Sequence, residues 1–486
     1  MSHVVVVGGG VAGLSCAYEL LGGAAGPVGA TSSVTVLEAD ERLGGKLLCA
    51  PIAGRAVDVG PDGFLARRPE AVALISELGC SELLEPIGAQ GAWVFARGRL
   101  RLLPPGLALG IPTRLRDLRT KDAVGILGIA GAARASLDLI APRQPSRSAL
   151  EDRAIGPLVG DKLGHRVVDM LIDPLIGGIH AGRVKDLSAA AVYPPILAAG
   201  QVRGSLMRAL QAKAAVRDPI PEDESVATPA FYTLRDGVGS LPELIAATLR
   251  DREAELALGT TATGLHRGAP GRPRWVVETG RDRLEADGVV LATPAAATSL
   301  LLDDIDREAA SMVGSIDAAG VAVVTLRFPA DAITLPASGT GVLVPIGHAA
   351  PEDRFMVTAV TFLDRKWPHL ARPGEVLLRA SVGRIDDARW MDLDDDVLVE
   401  RVLLDLTLLI GEIAAPSAAA VTRWPDAFPQ YRVNHLVRVD GVDAAVSALG
   451  GLAVAGAAYR GVGIPACIGS GRTSARNLRA WLADQS

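Results

Sequence analysis

Gly8, Gly10 and Gly13 lie in the run Val4-Val5-Val6-Val7-Gly8-Gly9-Gly10-Val11-Ala12-Gly13 and have the spacing G-x-G-x-x-G. A row of valines without polar alternation predicts a strand buried on both faces, and the residues from Val11 to Leu21 predict a helix. The glycines therefore stand on a strand-to-helix turn. There, bare backbone and the positive end of the helix dipole attract a pyrophosphate. A carboxylate for a ribose hydroxyl is offered by Glu38, at the end of a second predicted strand that starts at Ser33. Glu38 arrives later than is usual, and the extra residues form the loop Gly22 to Gly29, an insertion that costs little. Strand, helix, glycines and acid together point to a bound dinucleotide, whereas the glycines alone describe no more than a tight turn.

The residues after Glu38 bear on which dinucleotide. Glu38-Ala39-Asp40-Glu41-Arg42-Leu43-Gly44-Gly45-Lys46 is similar to the second glycine motif of FAD-containing, amine oxidase-like flavoproteins, and Ala292-Thr293-Pro294 resembles the end of the strand that closes their nucleotide sheet. The resemblance implies FAD. It implies that Gly44 and Gly45 let backbone approach the cofactor, and that Lys46, where many members have Arg, lies near the phosphates or the flavin. Further motifs narrow the family: Val57 to Pro69, Asp173 to Gly182, Arg423-Trp424 with Pro429-Gln430-Tyr431, and Ala458 to Ile468. In their order and spacing they resemble the protoporphyrinogen and coproporphyrinogen III oxidases of haem synthesis over essentially the whole chain. Two positions depart from that pattern. Ala466 stands where an acid is common, and His180 where an aromatic is usual.

Residue by residue, the resemblance implies that Gly8, Gly10, Val11, Ala12, Gly13, Glu38 and Ala39 hold the nucleotide half of FAD, and that Ala262 meets the adenine end through its backbone. Gly60, Pro61, Asp62 and Gly63 would flank the isoalloxazine together with Val462, Gly463, Ile464 and Pro465, with Trp424 packed near the ring. Phe64, Arg67, Arg68, Gly177, Gly178, Ile179 and His180 would line the substrate side. In such an enzyme the flavin N5 accepts hydride from a meso carbon of the porphyrinogen. Three such oxidations, with molecular oxygen as acceptor and hydrogen peroxide as product, turn coproporphyrinogen III into coproporphyrin III. No side chain is assigned as general base, and no residue as a metal ligand. The four-propionate substrate is favoured over protoporphyrinogen because Arg67 and Arg68 follow the flavin-facing loop. A flavin amine oxidase or desaturase would share the first motifs but lack the later ones. Arg183, Arg203 and Arg432 are further candidates for a propionate, and a transient contact with a ferrochelatase fits the same route.

The elements that must position these residues read as α/β. A Rossmann-like FAD-binding domain (1–72, 228–297 and 446–486) is interleaved with an α+β, sheet-based substrate domain (73–101 and 298–445) and a mostly helical cap (102–227). The strands expected in the substrate domain include Val321 to Leu326 and Val376 to Val382, followed by a helix from Asp394 to Ile410. Loops are expected at Pro142 to Ser148 and at Tyr193-Pro194-Pro195, and a mobile loop at Arg217 to Thr228.

Composition limits the function classes. With 486 residues the chain has room for two or three domains. Its net charge of -6 argues against a nucleic-acid partner. Cys16, Cys49, Cys80 and Cys467 form neither a metal spacing nor a disulfide framework, so a cytoplasmic setting with reduced thiols is expected. The most apolar run, Ala123 to Ala133, falls short of the roughly 20 residues a bilayer requires and reads as a buried helix. A peripheral contact with a membrane surface stays open.

Overall fold

Val4 to Val7 lie in the central strand of a five-stranded parallel sheet, ordered Glu255–Ala257, Ser33–Leu37, His3–Val7, Gly288–Leu291 and Leu452–Val454. The valines do not alternate because neither face meets water. Val4 and Val6 pack under the helices Val11–Leu20, Leu241–Asp251 and Ile464–Asp484, while Val5 and Val7 pack under Arg307–Gly314 and His435–Leu449. Burying each valine fully contributes about 2 kcal/mol. All five carboxyl ends point the same way, so the segments that follow them meet along one rim, as ligand sites of open parallel sheets require.

The computed structural model describes residues 2–26, 33–104, 106–142, 151–201, 204–217, 229–269, 274–346 and 355–485. Arg203 and most of the expected loops Pro142 to Ser148 and Arg217 to Thr228 lie outside them, as does the later part of Gly22 to Gly29. A second, seven-stranded sheet runs Ala418–Pro429, Ala318–Pro329, Glu375–Val382, Val357–Phe362, Gly341–Leu343, Trp93–Ala96 and Arg99–Leu102, with the helix Asp395–Ile410 packed on one face. Trp275–Thr279 and Arg283–Ala286 form an antiparallel pair, with Ala262–Arg267 as third strand.

Between Leu115 and Arg217 the chain is mostly helical. Two local expectations change here. The run Ala123 to Ala133 belongs to a longer helix, Lys121–Ile140, that is buried on one face only: Ile126, Leu127 and Ala132 lie in the core, while Ile129 is 81% and Ile140 77% exposed. By length and composition alone this helix could cross a membrane, but it is broken at Gly128, whose φ is 76°. Tyr193-Pro194-Pro195 is not a loop either. Pro194 opens the helix Pro194–Gln201, a first-turn position where a missing N–H costs nothing.

Candidate functional site

The glycines of the first turn divide by what requires them. A Cβ on Gly8, whose φ is 111°, would lie 2.8 Å from the Ala292 carbonyl oxygen, and one on Gly13 would overlap the Gly8 carbonyl. Both are needed by the turn itself. Gly10 is different: its φ is -70° and a Cβ there would meet nothing within 4 Å. The protein does not need glycine at this position, so the space in front of it suits a group brought by a ligand. Gly44 N–H donates to the Gly9 carbonyl at 2.9 Å, and a Cβ on Gly45 would lie 3.6 Å from the Gly10 Cα, so the two glycine motifs form one cradle.

Two helix N-termini border this rim. Val11–Leu20 and Ile464–Asp484 both start without a side-chain cap and without an acid in the first turn. They are packed so closely that a Cβ on Gly471 would overlap the Ala12 carbonyl. Their free N–H groups and dipoles offer a positive edge to a diphosphate. Val11 and Ala12 contribute backbone; the side chains of Ile464 and Pro465 are buried, leaving Val462 and Gly463 at the surface of the turn.

At the other end of the cradle, the Glu38 carboxylate accepts the N–H of Gly9 at 2.7 Å and that of Asp40 at 3.0 Å. Ala39 beside it is exposed. Thr260 N–H donates to the Glu38 carbonyl at 2.8 Å, which brings the chain leading to Ala262 alongside.

Gly60, Lys46 and Trp424 meet at one point. A Cβ on Gly60 would overlap the Lys46 carbonyl and lie 3.5 Å from the Trp424 ring, whose Nε1–H donates to the Val59 carbonyl at 2.8 Å. Burial pushes the Lys46 amine down, against the opposing influence of Cys467 and Asp426. Pro61 is exposed, and Gly63 backs onto the Trp367 ring. The Asp62 carboxylate is not available to a ligand, because it accepts from Lys366 Nζ at 2.8 Å and Trp367 Nε1 at 3.0 Å and pairs with Arg379 at 3.2 Å. Burial would raise this carboxyl, but Arg379 and Lys366 outweigh it and hold it well below the usual carboxylate range.

Several expected substrate-side residues are placed otherwise. Phe64 is 2% exposed and packs in the nucleotide-domain core, on a strand pairing with Phe231–Leu234, so its ring fills space there. His180 is 7% exposed, and burial lowers its imidazole to about 4. Arg68 is held by Glu70 through two contacts of 2.6 and 3.2 Å. Arg183 pairs with Asp173 and Asp386, and Arg432 with Asp317. Three residues remain open. Gly178 faces space with no atom within 4 Å of a Cβ, Ile179 is 49% exposed, and Arg67 is exposed beside the turn. Gly177 is fixed by the fold, since a Cβ would lie 2.8 Å from the Gly182 carbonyl oxygen.

The residues that hold these loops were mostly not legible as site residues. Arg379, on the strand Glu375–Val382, donates to the Gly60 carbonyl at 3.0 Å while pairing with Asp62, and so fastens the 60–63 loop to the second sheet. Tyr431 accepts the Gly461 N–H at 2.8 Å and donates to the Ala457 carbonyl at 2.5 Å; His435 stacks on it at 4.0 Å and bonds the Tyr459 carbonyl at 2.7 Å. This pair sets the loop that enters the helix at Ile464. The buried Arg384–Asp173 pair, 3.0 Å apart, lies behind Gly177. Of these, Tyr431 had a signal in the sequence through the phrase Pro429-Gln430-Tyr431 and Asp173 through the motif it opens; Arg379, Arg384 and His435 had none.

Comparison with known proteins matches residues 11–479 to the family model described as flavin containing amine oxidoreductase. Coproporphyrinogen III oxidase of Bacillus subtilis (strain 168) is 31% identical over 483 residues, 99% of this chain and 98% of its own. The enzyme of that name from Mycobacterium tuberculosis (strain ATCC 25618 / H37Rv) is 34% identical over 469 residues, covering 96% and 94%. A crystal structure described as a putative protoporphyrinogen oxidase, from Exiguobacterium sp. 255-15, superposes with a TM-score of 0.84 at 31% identity, covering 99% of both chains.

Proposed function

The chain belongs to the flavin-containing amine oxidoreductases and uses FAD, and from that premise we propose that it oxidises coproporphyrinogen III to coproporphyrin III. The observation that carries the substrate is its similarity, along nearly the whole chain, to relatives named for that reaction. Arg67, exposed and beside the 60–66 segment, supports a substrate with four carboxylates over one with two. When bound, FAD would supply hydride acceptance and electron transfer to oxygen, with hydrogen peroxide as product, for the three two-electron oxidations this reaction requires.

The protein's own part is to hold and orient. Gly10 and Gly45 leave room for a diphosphate beneath two helix N-termini, and Gly44 holds the turn against Pro242 and the Leu47 carbonyl. The helix starting at Ile464, with Lys46, offers positive potential where negative charge develops on reduction. Gly178 and Ile179 form the open wall on which a flat macrocycle can rest. In this reading residues 1–72, 228–297 and 446–486 serve the cofactor, 73–101 and 298–445 the substrate, and 102–227 cap the cleft. The four cysteines are free thiols, which supports a cytoplasmic setting and hand-over of product to a ferrochelatase there.

The test is aerobic turnover of copro- and protoporphyrinogen side by side, followed by porphyrin fluorescence. Faster turnover of coproporphyrinogen is expected. Preference for the two-propionate substrate would transfer the assignment to protoporphyrinogen oxidase, the description carried by the Exiguobacterium relative. Failure of both to bleach the flavin anaerobically would remove the porphyrinogen reading.

A further inference from the structure

The edge strand Ala418–Pro429 of the seven-stranded sheet is followed by two residues that reach different parts of the site. Gln430 is 4% exposed, and its Nε2 donates to the carbonyls of His180 and Phe428 at 2.8 and 2.9 Å. Carbonyls only accept, so the amide stands one way round. Its nitrogen faces them, and its oxygen faces Gly182, where a Cβ would overlap it. The segment held in this way, residues 177–182, is closed by the bond from Gly182 N–H to the Gly177 carbonyl at 3.0 Å and carries Gly178 and Ile179 on its open side.

Tyr431 reaches the other part. Its hydroxyl holds Ala457 and Gly461, in the turn that leads to Val462 and Gly463, while its backbone carbonyl accepts the Ser188 N–H at 2.7 Å. Burial pushes the phenol up from its ordinary value, so it keeps the proton it donates. The rings of Tyr431 and His180 lie 6.0 Å apart, which makes the wall and the turn neighbours across this dipeptide. Ile385 N–H also bonds the wall, at the Ala181 carbonyl, but it continues the strand Glu375–Val382 and does not lead to the turn.

We propose that Gln430 and Tyr431 are positioning residues that together set the distance between the substrate wall and the turn beside the flavin. The inference rests on the porphyrinogen reading above. There, the reacting carbon and its acceptor are held by different parts of the chain and must come to near contact, and a misplacement of about 1 Å can cost as much as a hundredfold in rate. A link made of one buried dipeptide leaves little freedom in that distance.

The experiment is stopped-flow on the full-length, flavin-loaded protein in two halves: anaerobic reduction of the flavin by coproporphyrinogen III, and reoxidation by oxygen of enzyme reduced with dithionite. Gln430→Met keeps the bulk and removes the donor. It should slow reduction about tenfold or more, with the half-saturating substrate concentration, the FAD affinity and reoxidation little changed. Tyr431→Phe should slow reduction comparably and also weaken FAD binding, read by the fluorescence of released flavin. Because both residues secure one distance, the double variant should reduce no more slowly than the slower single one. Losses that multiply would show two independent supports and overturn the proposal, as would a Gln430→Met enzyme in which reduction and reoxidation fall together, or in which neither changes. The unmodified protein separates the two readings. If it leaves its flavin oxidised with both copro- and protoporphyrinogen, the substrate reading fails and this proposal with it; if it reduces the flavin and Gln430→Met does so at the same rate, this proposal alone fails.

Discussion

Gly10 is the residue at which the cofactor's needs separate from the fold's. Its backbone is ordinary and its surroundings empty, so Gly10→Val should fold with its melting temperature little changed yet be isolated without yellow flavin; full occupancy in that variant would remove the cradle from the account. Gly13→Val, by contrast, should fail to fold, since its side chain would enter the Gly8 carbonyl. The arginine pair divides in the same way. Arg68 is already occupied by Glu70, whereas Arg67 has no ion pair among the described residues, so Arg67→Ala should raise KM for coproporphyrinogen about tenfold, as loss of a charge-assisted bond does, and Arg68→Ala by much less. Steady-state kinetics on both substrates check this, and equal losses on the two would assign the pair to shaping the loop. The glycine spacing was legible because a motif fixes backbone demands that few other residues meet. The roles of Phe64, His180 and Asp62 were not, because a motif places a residue in the chain without saying which way its side chain turns.

At the scale of elements, the loops of the site are held by groups far away in the chain. Arg379 joins a strand of the second sheet to Gly60 and Asp62. Replacing it by Met leaves the buried Asp62 carboxylate to Lys366 and Trp367 alone, a loss of one charged partner that typically costs about 1.5–3 kcal/mol; chemical denaturation should show that loss, with Arg379→Lys recovering part of it and of the flavin affinity. The stacked pair Tyr431 and His435 does the same for the loop at 457–461. Burial lowers the His435 imidazole to about 4, below an unfolded value of about 6.5. The unfolded chain therefore takes up the proton first, and stability falls as pH drops from about 6.5 towards about 4, by at most about 3 kcal/mol from this group. His180 acts with the same sign over the same window. His435→Gln should flatten that part of the profile, measured as urea midpoints across the window; an unchanged slope would show that the titration lies elsewhere. Strands such as Val376 to Val382 and the helix after Asp394 were legible because apolar periodicity follows burial. The clamps were not, since an Arg that crosses between sheets leaves no periodic trace.

Over the whole molecule, the parallel sheet could be pieced together from three separated stretches of sequence, because its two middle strands carry the apolar runs Val4 to Val7 and Val289 to Leu291, buried on both faces. The exposed outer face of Lys121–Ile140 could not, because an apolar run does not tell which of its residues a neighbour covers. The same sheet carries a consequence for the order of events during synthesis. The first strand made, His3–Val7, has Gly288–Leu291 as its neighbour, and the helix that follows it lies against Ile464–Asp484. The cradle at Gly10 is thus translated first and finished only when residues 452–484 have left the ribosome. FAD must be loaded after that point, and a chain cut at residue 450 should be made in full up to the cut, expose apolar surface and carry no flavin, whatever the state of its N-terminal motif.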